Sequence, residues 1–566
     1  MLKVKNYIPN SKQWIIAERK SNDLIEQLLL NRGIDIKKKD SFFYPDFEKG
    51  LYNPFLLKNI NKAIKLIKEA KDKKYIIGIF GDYDTDGVTS TILIQNALDK
   101  IGIKSEVYIP SRNEGYGLNR AGIDCLIAKK VNIIIAVDLG ITARKEIEYA
   151  KKKNIEVVVI DHHLVQNELI PDCIIINPNQ KGDKYPNKDL SAGGLVYKFI
   201  CALQKKFPHY ISKNDLKWWL DLTAISTVTD MCPLTDENRV IVYYGIIVIK
   251  KTKRIGLKKL IESSAIKPEK INTGSIGFQI GPRLNAAGRI DHATITYLLL
   301  RSDNSFEADK IVKKVNQINL DRQKELEKTI IEARKKVINQ KLYENKIIMV
   351  AQENWSSGIV GLVAGKLMEE FSRPIIALGK QDSVYKGSAR SIEKFHLLKA
   401  FQHIAELLTS FGGHAKAGGI SFKINNFNKV YKKLLSYADR VLQDVDLVSK
   451  LVIDAELEDT DLTINFVKKI SRFEPYGIGN KKPLFILRSL NIQNIRTIGK
   501  DNNHIKLNFE KFDGVLFNSD KYTNLPVNGD TIDIVFTPEL NEWQGQEKID
   551  LIIEDWKYND NKKSKI

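Results

Sequence analysis

Three short apolar runs in the first third of the chain share one layout. Tyr75-Ile-Ile-Gly-Ile-Phe80, Ile133-Ile-Ile-Ala-Val137 and Glu156-Val-Val-Val-Ile160 are rich in β-branched residues with almost no polar interruption. Continuous runs of this length predict strands buried on both faces. Lys-rich, helix-like segments separate these strands, and a helical pattern, Val88 to Leu98, follows the first. Strands alternating with helices predict a parallel α/β sheet, whose functional groups gather beyond the carboxyl ends of the strands. Farther on, Ala308, Ile311, Val315, Ile318, Leu326, Ile330, Ala333 and Val337 step mainly by three or four through a polar stretch from Ser305 to Lys341. That spacing predicts one long amphipathic helix. A second α/β pattern starts at Ile347-Ile-Met-Val-Ala351 and runs to about residue 440. Beyond about residue 450, short β-type runs such as Ile532-Asp-Ile-Val-Phe536 and Ile549-Asp-Leu-Ile-Ile553 alternate with turns, including Val527-Asn-Gly-Asp530. Short strands at that spacing predict a small barrel. Residues before about 50 read as an N-terminal segment with a helical middle and a break at Tyr44-Pro45.

The ends of the first three runs carry the candidate chemistry. The first passes into Asp82, Asp84 and Asp86, at every second position, and then Gly87; the second ends in Asp138, with Gly140 just beyond; the third ends in Asp161-His162-His163. Carboxylates this close repel one another unless a cation neutralises them, and an oxygen-rich set suits Mg²⁺ or Mn²⁺. Asp82-x-Asp84-x-Asp86-Gly87 also fits the opening of an EF-hand loop, but that loop requires Glu at its twelfth position, where Leu93 stands. A lone Asp after a strand is often a helix N-cap, and for Asp138 taken alone the cap is the better reading. Adjacent histidines are commonly surface residues; here two of only eight in the chain directly follow a strand-end Asp.

Length and composition narrow the class. A chain of 566 residues allows three or four domains, and 43% hydrophobic with 28% charged residues is a globular composition. No stretch reaches the ~18 apolar residues of a membrane span, and Met1-Leu-Lys-Val-Lys-Asn lacks the apolar core of a signal peptide. Cys125, Cys173, Cys201 and Cys232 lie far apart with no Cys-x-x-Cys, so they read as reduced, mostly buried thiols of a cytoplasmic protein. The formal charge of +20 favours a polyanionic partner. The richness in Lys, Ile and Asn softens that inference, because many lysines, such as Lys151 to Lys153, cover solvated helix faces.

Asp161-His162-His163, with Asp82-Tyr-Asp-Thr-Asp-Gly87 and Val137-Asp138 upstream, resembles the DHH phosphoesterase superfamily. Further matches resemble the RecJ family of single-strand-specific exonucleases within it: Gly281-Pro-Arg-Leu-Asn-Ala-Ala-Gly-Arg-Ile290, and Leu222 to Arg239 with Thr229-Asp230 and Pro233-Leu234. Lys386-Gly-Ser-Ala-Arg-Ser391 and Phe411-Gly-Gly-His-Ala-Lys-Ala-Gly-Gly419 resemble the DHHA1 domain, and Phe473-Glu-Pro-Tyr-Gly-Ile-Gly-Asn480 with Asn541-Glu-Trp-Gln-Gly545 resemble the family's C-terminal OB domain. The matches run in family order over nearly the whole chain. The resemblance implies an α/β multidomain protein: an N-terminal segment (1–50), a parallel-sheet DHH catalytic domain (51–300), a long connecting helix (301–345), an α/β DHHA1 domain (346–445), an OB-type β-barrel that binds nucleic acid (446–558) and a disordered tail (559–566).

Phosphodiester hydrolysis needs an activated water, neutralised phosphate oxygens and a stabilised leaving oxygen, which two metals ~3.5–4 Å apart supply together. The resemblance implies two Mn²⁺ or Mg²⁺ ions held by Asp82, Asp84, Asp86, Asp138, His162 and Asp230, with Asp138 bridging. It implies His163 as a phosphate contact or proton donor to the leaving oxygen, and Asp161 as a ligand or an acceptor orienting a histidine. Arg112, Tyr116, Arg283, Asn285 and Arg289 are the implied substrate contacts, Arg because its fork suits phosphate and Tyr116 as a stacking face. Ser388, Arg390 and His414 are implied to hold the 5′ end of the strand. The implied activity is metal-dependent 5′→3′ hydrolysis of single-stranded DNA in repair and recombination, by a monomer working with single-stranded DNA-binding protein and a RecQ-type helicase. One departure stands out: Ser356 occupies a position where many relatives carry His. Two other readings stay open. Small DHH enzymes act on short oligonucleotides, cyclic dinucleotides or polyphosphate, but usually lack the extra barrel. A non-catalytic scaffold would have lost ligands, whereas every expected Asp and His is present here.

Overall fold

The computed structural model describes residues 12–165, 170–499, 502–519, 522, 524–543 and 545–559. The expectation about the chain's first residues, Gln544 of the barrel motif and all of the expected tail but Asn559 lie outside the described residues. The chain forms two compact units. One comprises Asp40–Arg322 with Glu474–Lys481; the other comprises residues up to Lys39, Gln323–Phe473 and Lys482 onward. The sequence reading put residues 1–50 in one segment and Glu474–Lys481 in the barrel. The structure divides that segment at residue 39/40 and gives the loop to the first unit. There Leu234 N donates to Ile478 O (2.7 Å) and Thr273 Oγ1 to Tyr476 O (2.7 Å). Arg239 Nη2 also donates to Glu474 O (2.8 Å). These partners lie more than 200 positions away, beyond the reach of local pattern.

Strand β1 (Gln13–Ile16) belongs to the second unit and pairs in parallel with Lys450–Ile453. The first unit is built on β2 (Ile77–Phe80), β3 (Ser105–Tyr108), β4 (Ile133–Val137), β5 (Glu156–Ile160) and β6 (Ile174–Ile176), in spatial order β3-β2-β4-β5-β6 and parallel throughout. Alternate residues feed opposite faces, as the two-residue strand period demands. Ile77, Ile79, Ile133, Ile135, Val137, Val158 and Ile160 enter one core cluster; Phe80, Ile134, Ala136, Val157 and Val159 enter the other. Burial on both faces explains why these strands read as unbroken apolar runs.

In the second unit, β7 (Ile348–Gln352), β8 (Ile375–Gln381), β9 (Val384–Arg390), β10 (Ser410–Gly413) and β11 (Ala417–Lys423) form a sheet ordered β10-β11-β9-β8-β7, parallel only between β7 and β8. After β12 (Lys450–Ile453) and β13 (Ala455–Glu456) come β14 (Phe485–Ile498), β15 (His504–Phe509), β16 (Asp513–Leu516), β17 (Thr531–Trp543) and β18 (Gln546–Tyr558). The ladder β14-β15-β16-β18-β17 closes through a β14–β17 pairing, giving a five-stranded barrel. The predicted amphipathic helix spans Ser305–Asn339. Ala308, Val315, Ile318, Ala333 and Val337 are buried along it. Among the described residues no helix is long and apolar enough to cross a membrane. Of the four free cysteines only Cys232 is buried, Cys173 and Cys201 are half-buried and Cys125 is exposed, which corrects the expectation of mostly buried thiols.

Behind the first sheet, Lys198 and Glu237 are both buried, with Nζ to Oε1 at 2.6 Å. Lys198 Nζ also donates to Tyr52 O (2.6 Å), while Glu237 accepts from Tyr185 Oη (2.7 Å) and Tyr52 N (3.0 Å). The pair ties helix Ala192–Lys206 to helix Asp236–Ile249. Breaking one half of a buried pair leaves an uncompensated charge. Lys198→Met is therefore expected to destabilise this unit by about 3–5 kcal/mol, read from urea unfolding. Adding Glu237→Gln should recover part of that loss; a double variant no more stable than Lys198→Met alone would contradict the pair's role.

Candidate active site

The carboxyl edge of the β2-β4-β5 sheet brings the strand-end residues together. After β2 the chain turns at once into helix Thr85–Ile101, and Asp84 is its N-cap, accepting Gly87 N–H at 3.0 Å. The start of that helix lies hard against the strand end: a Cβ on Gly87 would meet Asp82 N at 2.6 Å and Asp82 Cα at 2.7 Å. Only glycine permits this approach. A second one fixes the same loop from helix Gly281–Ile290, where a Cβ on Gly288 would meet Tyr83 O at 2.1 Å.

Asp86 is buried in the first helical turn and held by three donors. Ala192 N and Gly193 N, at the start of helix Ala192–Lys206, each lie 2.9 Å from it, and Ser226 Oγ lies 2.5 Å away. A carboxylate at a helix N-terminus is stabilised by the free amides and the dipole there. Asp138 ends β4 with φ +66°, and the next helix, Arg144–Lys152, is capped by Ala143. The N-cap reading of Asp138 is thereby excluded. Asp161 sends Oδ2 to Ile141 N (3.0 Å) and Oδ1 to His163 N (3.1 Å) and Nδ1 (2.7 Å). It thus works as the acceptor that orients His163.

His162 faces the carboxylates. Its Nε2 lies 3.4 Å from Asp138 Oδ1, 3.7 Å from Asp230 Oδ2 and 3.9 Å from Asp86 Oδ2. Asp230 caps the C-terminal end of helix Leu220–Thr229 and accepts from Cys232 Sγ at 3.3 Å. Three overlapping groups have donor atoms within 4.8 Å of one another: Asp138 with His162 and His163, Asp86 with His162 and Asp230, and Asp82 with Asp84 and Asp138. Asp82 Oδ1 is buried and has no hydrogen-bond partner among the described residues. An orphaned carboxylate oxygen is expensive in a protein interior. Its position among other carboxylates fits an oxygen-binding divalent cation, and the mixed O/N donors suit Mn²⁺ as well as Mg²⁺.

The electrostatics agree. Burial, then the charges of Asp86, Asp84 and Asp82, pushes the Asp138 carboxyl well above its ordinary range. Burial and then Asp84 do the same to Asp82. Burial, then Asp86 and Asp84, raises Asp230, and burial raises Asp86 against the opposing pull of His162. His162 is lowered, chiefly by burial. For His163 burial works downward, but the bond to Asp161 prevails and lifts it to about 9.

Of the predicted substrate contacts, Arg112 donates from Nε to Gly288 O (3.0 Å) and lies over the Tyr83 ring at 4.2 Å. Tyr116 is exposed, with its hydroxyl 3.2 Å from His163 Nδ1 and 3.1 Å from Asp138 O, so it belongs to the cluster's rim. Asn285 accepts Thr85 N–H at 2.9 Å and braces the acidic loop. Arg283 donates to Asn316 Oδ1 (3.1 Å) and Gln279 O (2.8 Å). Arg289 acts on Tyr83 through its charge and lies on the same helix. In the other unit, Arg390 Nη1 donates to Ser388 Oγ (3.0 Å) on β9. β11 sets Ala417 opposite Arg390 and Gly419 opposite Ser388, and His414, exposed, sits in the turn that leads to Ala417. Ser356 accepts Gly358 N–H at 3.2 Å, a local turn contact.

Sequence reasoning missed several supporting residues. Asn177 Nδ2 and Asn179 Nδ2 hold the carbonyls of His163 (2.9 Å) and His162 (3.0 Å). Their signal was readable, since Asn177-Pro-Asn179 follows β6 at the same sheet edge. Ser226 and the Ala192 and Gly193 amides, by contrast, reach Asp86 across more than 100 positions.

A parallel sheet whose adjacent strand ends deliver Asp, Asp and Asp-His-His into one carboxylate cluster defines a DHH-type phosphoesterase. Family models agree along the chain: the DHH family N-terminal domain matches residues 76–227, the DHHA1 domain 337–440 and the RecJ OB domain 453–555. The chain belongs to the RecJ family. It is 35% identical over 539 residues to the single-stranded-DNA-specific exonuclease RecJ of Bacillus subtilis (strain 168), covering 94% of this chain and 67% of that one. It is 31% identical over 536 residues to the protein of that name from Haemophilus influenzae, covering 89% and 92%. The crystal structure of exonuclease RecJ bound to manganese is 27% identical, with a TM-score of 0.59, over 69% of this chain and 96% of that one. The crystal structure of RecJ from Thermus thermophilus in complex with Mn²⁺ shares the fold with a TM-score of 0.82, over 97% of this chain and 80% of that one, at 23% identity.

The raised carboxyls make a stability prediction. A group whose folded pKa is raised stabilises below its unfolded value and loses that contribution as pH rises through the folded one. In EDTA the catalytic unit should therefore lose stability as pH climbs from the usual 3.8 through the raised values of Asp82, Asp86, Asp138 and Asp230. His162, being lowered, works the other way only below its usual 6.5. Mn²⁺ should restore about 2.7 kcal/mol at a hundredfold excess over Kd, measured by differential scanning calorimetry. Asp138→Asn, which tolerates the left-handed backbone, should raise stability in EDTA and shrink the Mn²⁺ increment. An unchanged increment would remove Asp138 from the ligand set.

Proposed function

We propose that this chain is a divalent-metal-dependent exonuclease that hydrolyses single-stranded DNA from the 5′ end, in DNA repair and recombination. The observation that carries the reading is the linkage of Asp82, Asp84, Asp86, Asp138, His162 and Asp230 through overlapping donor groups, in which one buried oxygen of Asp82 has no hydrogen-bond partner among the described residues. Family membership supports the substrate, since the relatives are single-stranded-DNA-specific exonucleases and one of similar fold is bound to manganese. Those six residues would hold the metal pair. Two cations there would neutralise the clustered charge, polarise the scissile phosphate and lower the pKa of a water.

The chain's own groups do the rest. His163, kept protonated by Asp161, is a proton donor suited to the leaving oxygen. The Tyr116 hydroxyl limits the swing of that ring. Arg112, steadied by Gly288 O and the Tyr83 ring, offers its remaining guanidinium hydrogens to a phosphate oxygen. Ser388 and Arg390 supply a compact donor pair for a terminal phosphate, which supports 5′-end recognition. The barrel matched by the RecJ OB model favours a strand over the small substrates of other DHH enzymes. We further place the protein in the cytoplasm, as a monomer working with single-stranded DNA-binding protein and a RecQ-type helicase, on family resemblance.

Digestion of 5′- and 3′-labelled single strands and duplexes with Mn²⁺, Mg²⁺ or EDTA is the test. Metal-dependent loss from the 5′ end of single strands, absent in Asp138→Ala, is the expected outcome. Binding without digestion would transfer the protein to the scaffold class, and cleavage confined to very short oligomers would move it to the small-substrate enzymes. His163→Gln should lower kcat by about 10²–10⁴-fold. Wild-type activity should fall on an alkaline limb at or below about 9, because nearby cations depress the value His163 has without them. The variant should lack that limb.

A further inference from the structure

A cavity of about 510 Å³ lies at the far end of helix Thr85–Ile101 from the acidic cluster. Asp84 and Asp86 stand at the start of that helix, while Asn96, Asp99 and Lys100, near its last turn, line the cavity. At 1.5 Å per residue the two ends are roughly 15–20 Å apart, so the cavity is separate from the candidate active site. Its size falls in the range of small-molecule pockets, roughly 300–1,000 Å³. The remaining wall is formed by Trp218 and Trp219, where helix Lys213–Trp218 meets helix Leu220–Thr229, and by Lys253 and Arg254, which lead into helix Ile255–Ser263.

Most charges around this cavity are already matched. Asp99 pairs with Arg301 (3.1 Å), Lys100 with Asp215 (2.9 Å) and the buried Asp221 with Arg254 Nε (2.9 Å). Lys253 is the exception. It is exposed, its Nζ lies 4.2 Å from the centre of the Trp218 ring, and it pairs with no carboxylate among the described residues. Arg254 commits only Nε to Asp221, and its two terminal nitrogens have no hydrogen-bond partner among the described residues. Two adjacent cations with unused donors suit an anion, and a guanidinium fork suits phosphate in particular. The opposite side of the cavity differs in character. Trp219 gives an apolar wall only 6% exposed, and Asn96, whose Oδ1 accepts from Arg301, keeps its amide hydrogens available. An aromatic wall beside a neutral hydrogen-bond donor suits a flat ring that carries acceptors, as a base does.

We propose that this cavity binds a nucleoside 5′-monophosphate, with the phosphate on Lys253 and Arg254 and the base against the tryptophan wall beside Asn96. The proposal rests on the exonuclease reading for its ligand class, because hydrolysis from one end of a strand releases mononucleotides. Its test does not require cleavage. The full-length protein in EDTA is titrated calorimetrically with deoxyadenosine 5′-monophosphate, with deoxyadenosine and with inorganic phosphate. The nucleotide should bind more tightly than either fragment. Lys253→Gln should weaken that binding about tenfold or more, as expected for one lost charge-assisted hydrogen bond. Arg254→Lys, which keeps a cation against Asp221 but removes the fork, should do the same. Lys253 is exposed, so its variant decides the matter should Arg254→Lys fail to fold. A wild type that does not bind the nucleotide, or an unchanged affinity in whichever of these variants folds, overturns the pocket. Inorganic phosphate binding as tightly as the nucleotide also overturns it, since the cavity would then hold an adventitious ion only. Nucleotide binding that is lost in the variants, by a wild type that digests no strand with Mn²⁺, would support the pocket and count against the exonuclease reading alone.

Discussion

Mutual repulsion among buried carboxylates is the constraint around which the catalytic unit is organised. Asp82, Asp86 and Asp138 are each almost fully buried, with Asp84 and Asp230 close by. No arrangement of side chains alone removes that repulsion, so the fold meets it with backbone. Helix Ala192–Lys206 aims two amides at Asp86, Ile141 offers one to Asp161 and the loop after β2 caps its own helix with Asp84. The Gly87, Ala192 and Gly193 amides sit in the first turns of helices and the Ile141 amide in the turn after β4, and preorganised dipoles of this kind need no rearrangement when charge appears.

The rest of the first unit can be read as support for that edge. Core clusters on both faces fix the strand ends in register, and the Lys198–Glu237 pair ties two helices behind the sheet. Gly87 and Gly288 let two helices approach the acidic loop more closely than a side chain would allow. The histidines are oriented from behind: Asp161 holds the His163 ring, while Asn177 and Asn179 hold backbone carbonyls of the pair. Outer contacts of this sort govern the tautomer and aim of a metal-site histidine.

Features written within one strand or helix were legible beforehand. The apolar runs became β2, β4 and β5 with their acidic ends at one edge, and the stepping of Ala308 to Val337 became helix Ser305–Asn339. The DHH and barrel motifs led to the family. Features that depend on distant partners were not legible. Nothing near Asp86 marks Ser226, and nothing near Asp454 marks Arg32, with which it pairs at 3.2 Å. Arg322 shows a middle case. The periodic stripe steps from Val315 and Ile318 to Leu326, and the polar residue in that gap is visible in the sequence, but its burial is a tertiary fact. Asn285 illustrates the reverse: its motif suggests a ligand contact, and its side chain braces Thr85.

The left-handed backbone of Asp138 carries a consequence for how this enzyme can evolve. At φ +66° glycine is at ease, Asn and Asp are tolerated, and longer or branched side chains are strained. Of the tolerated residues only Asp carries a carboxylate. Glutamate, the obvious substitute elsewhere in an acidic cluster, is disfavoured here by the main chain before any question of reach arises. Drift at this position can neutralise the cluster far more easily than it can reshape it, so the carboxylate at the end of β4 is held by conformation as much as by chemistry.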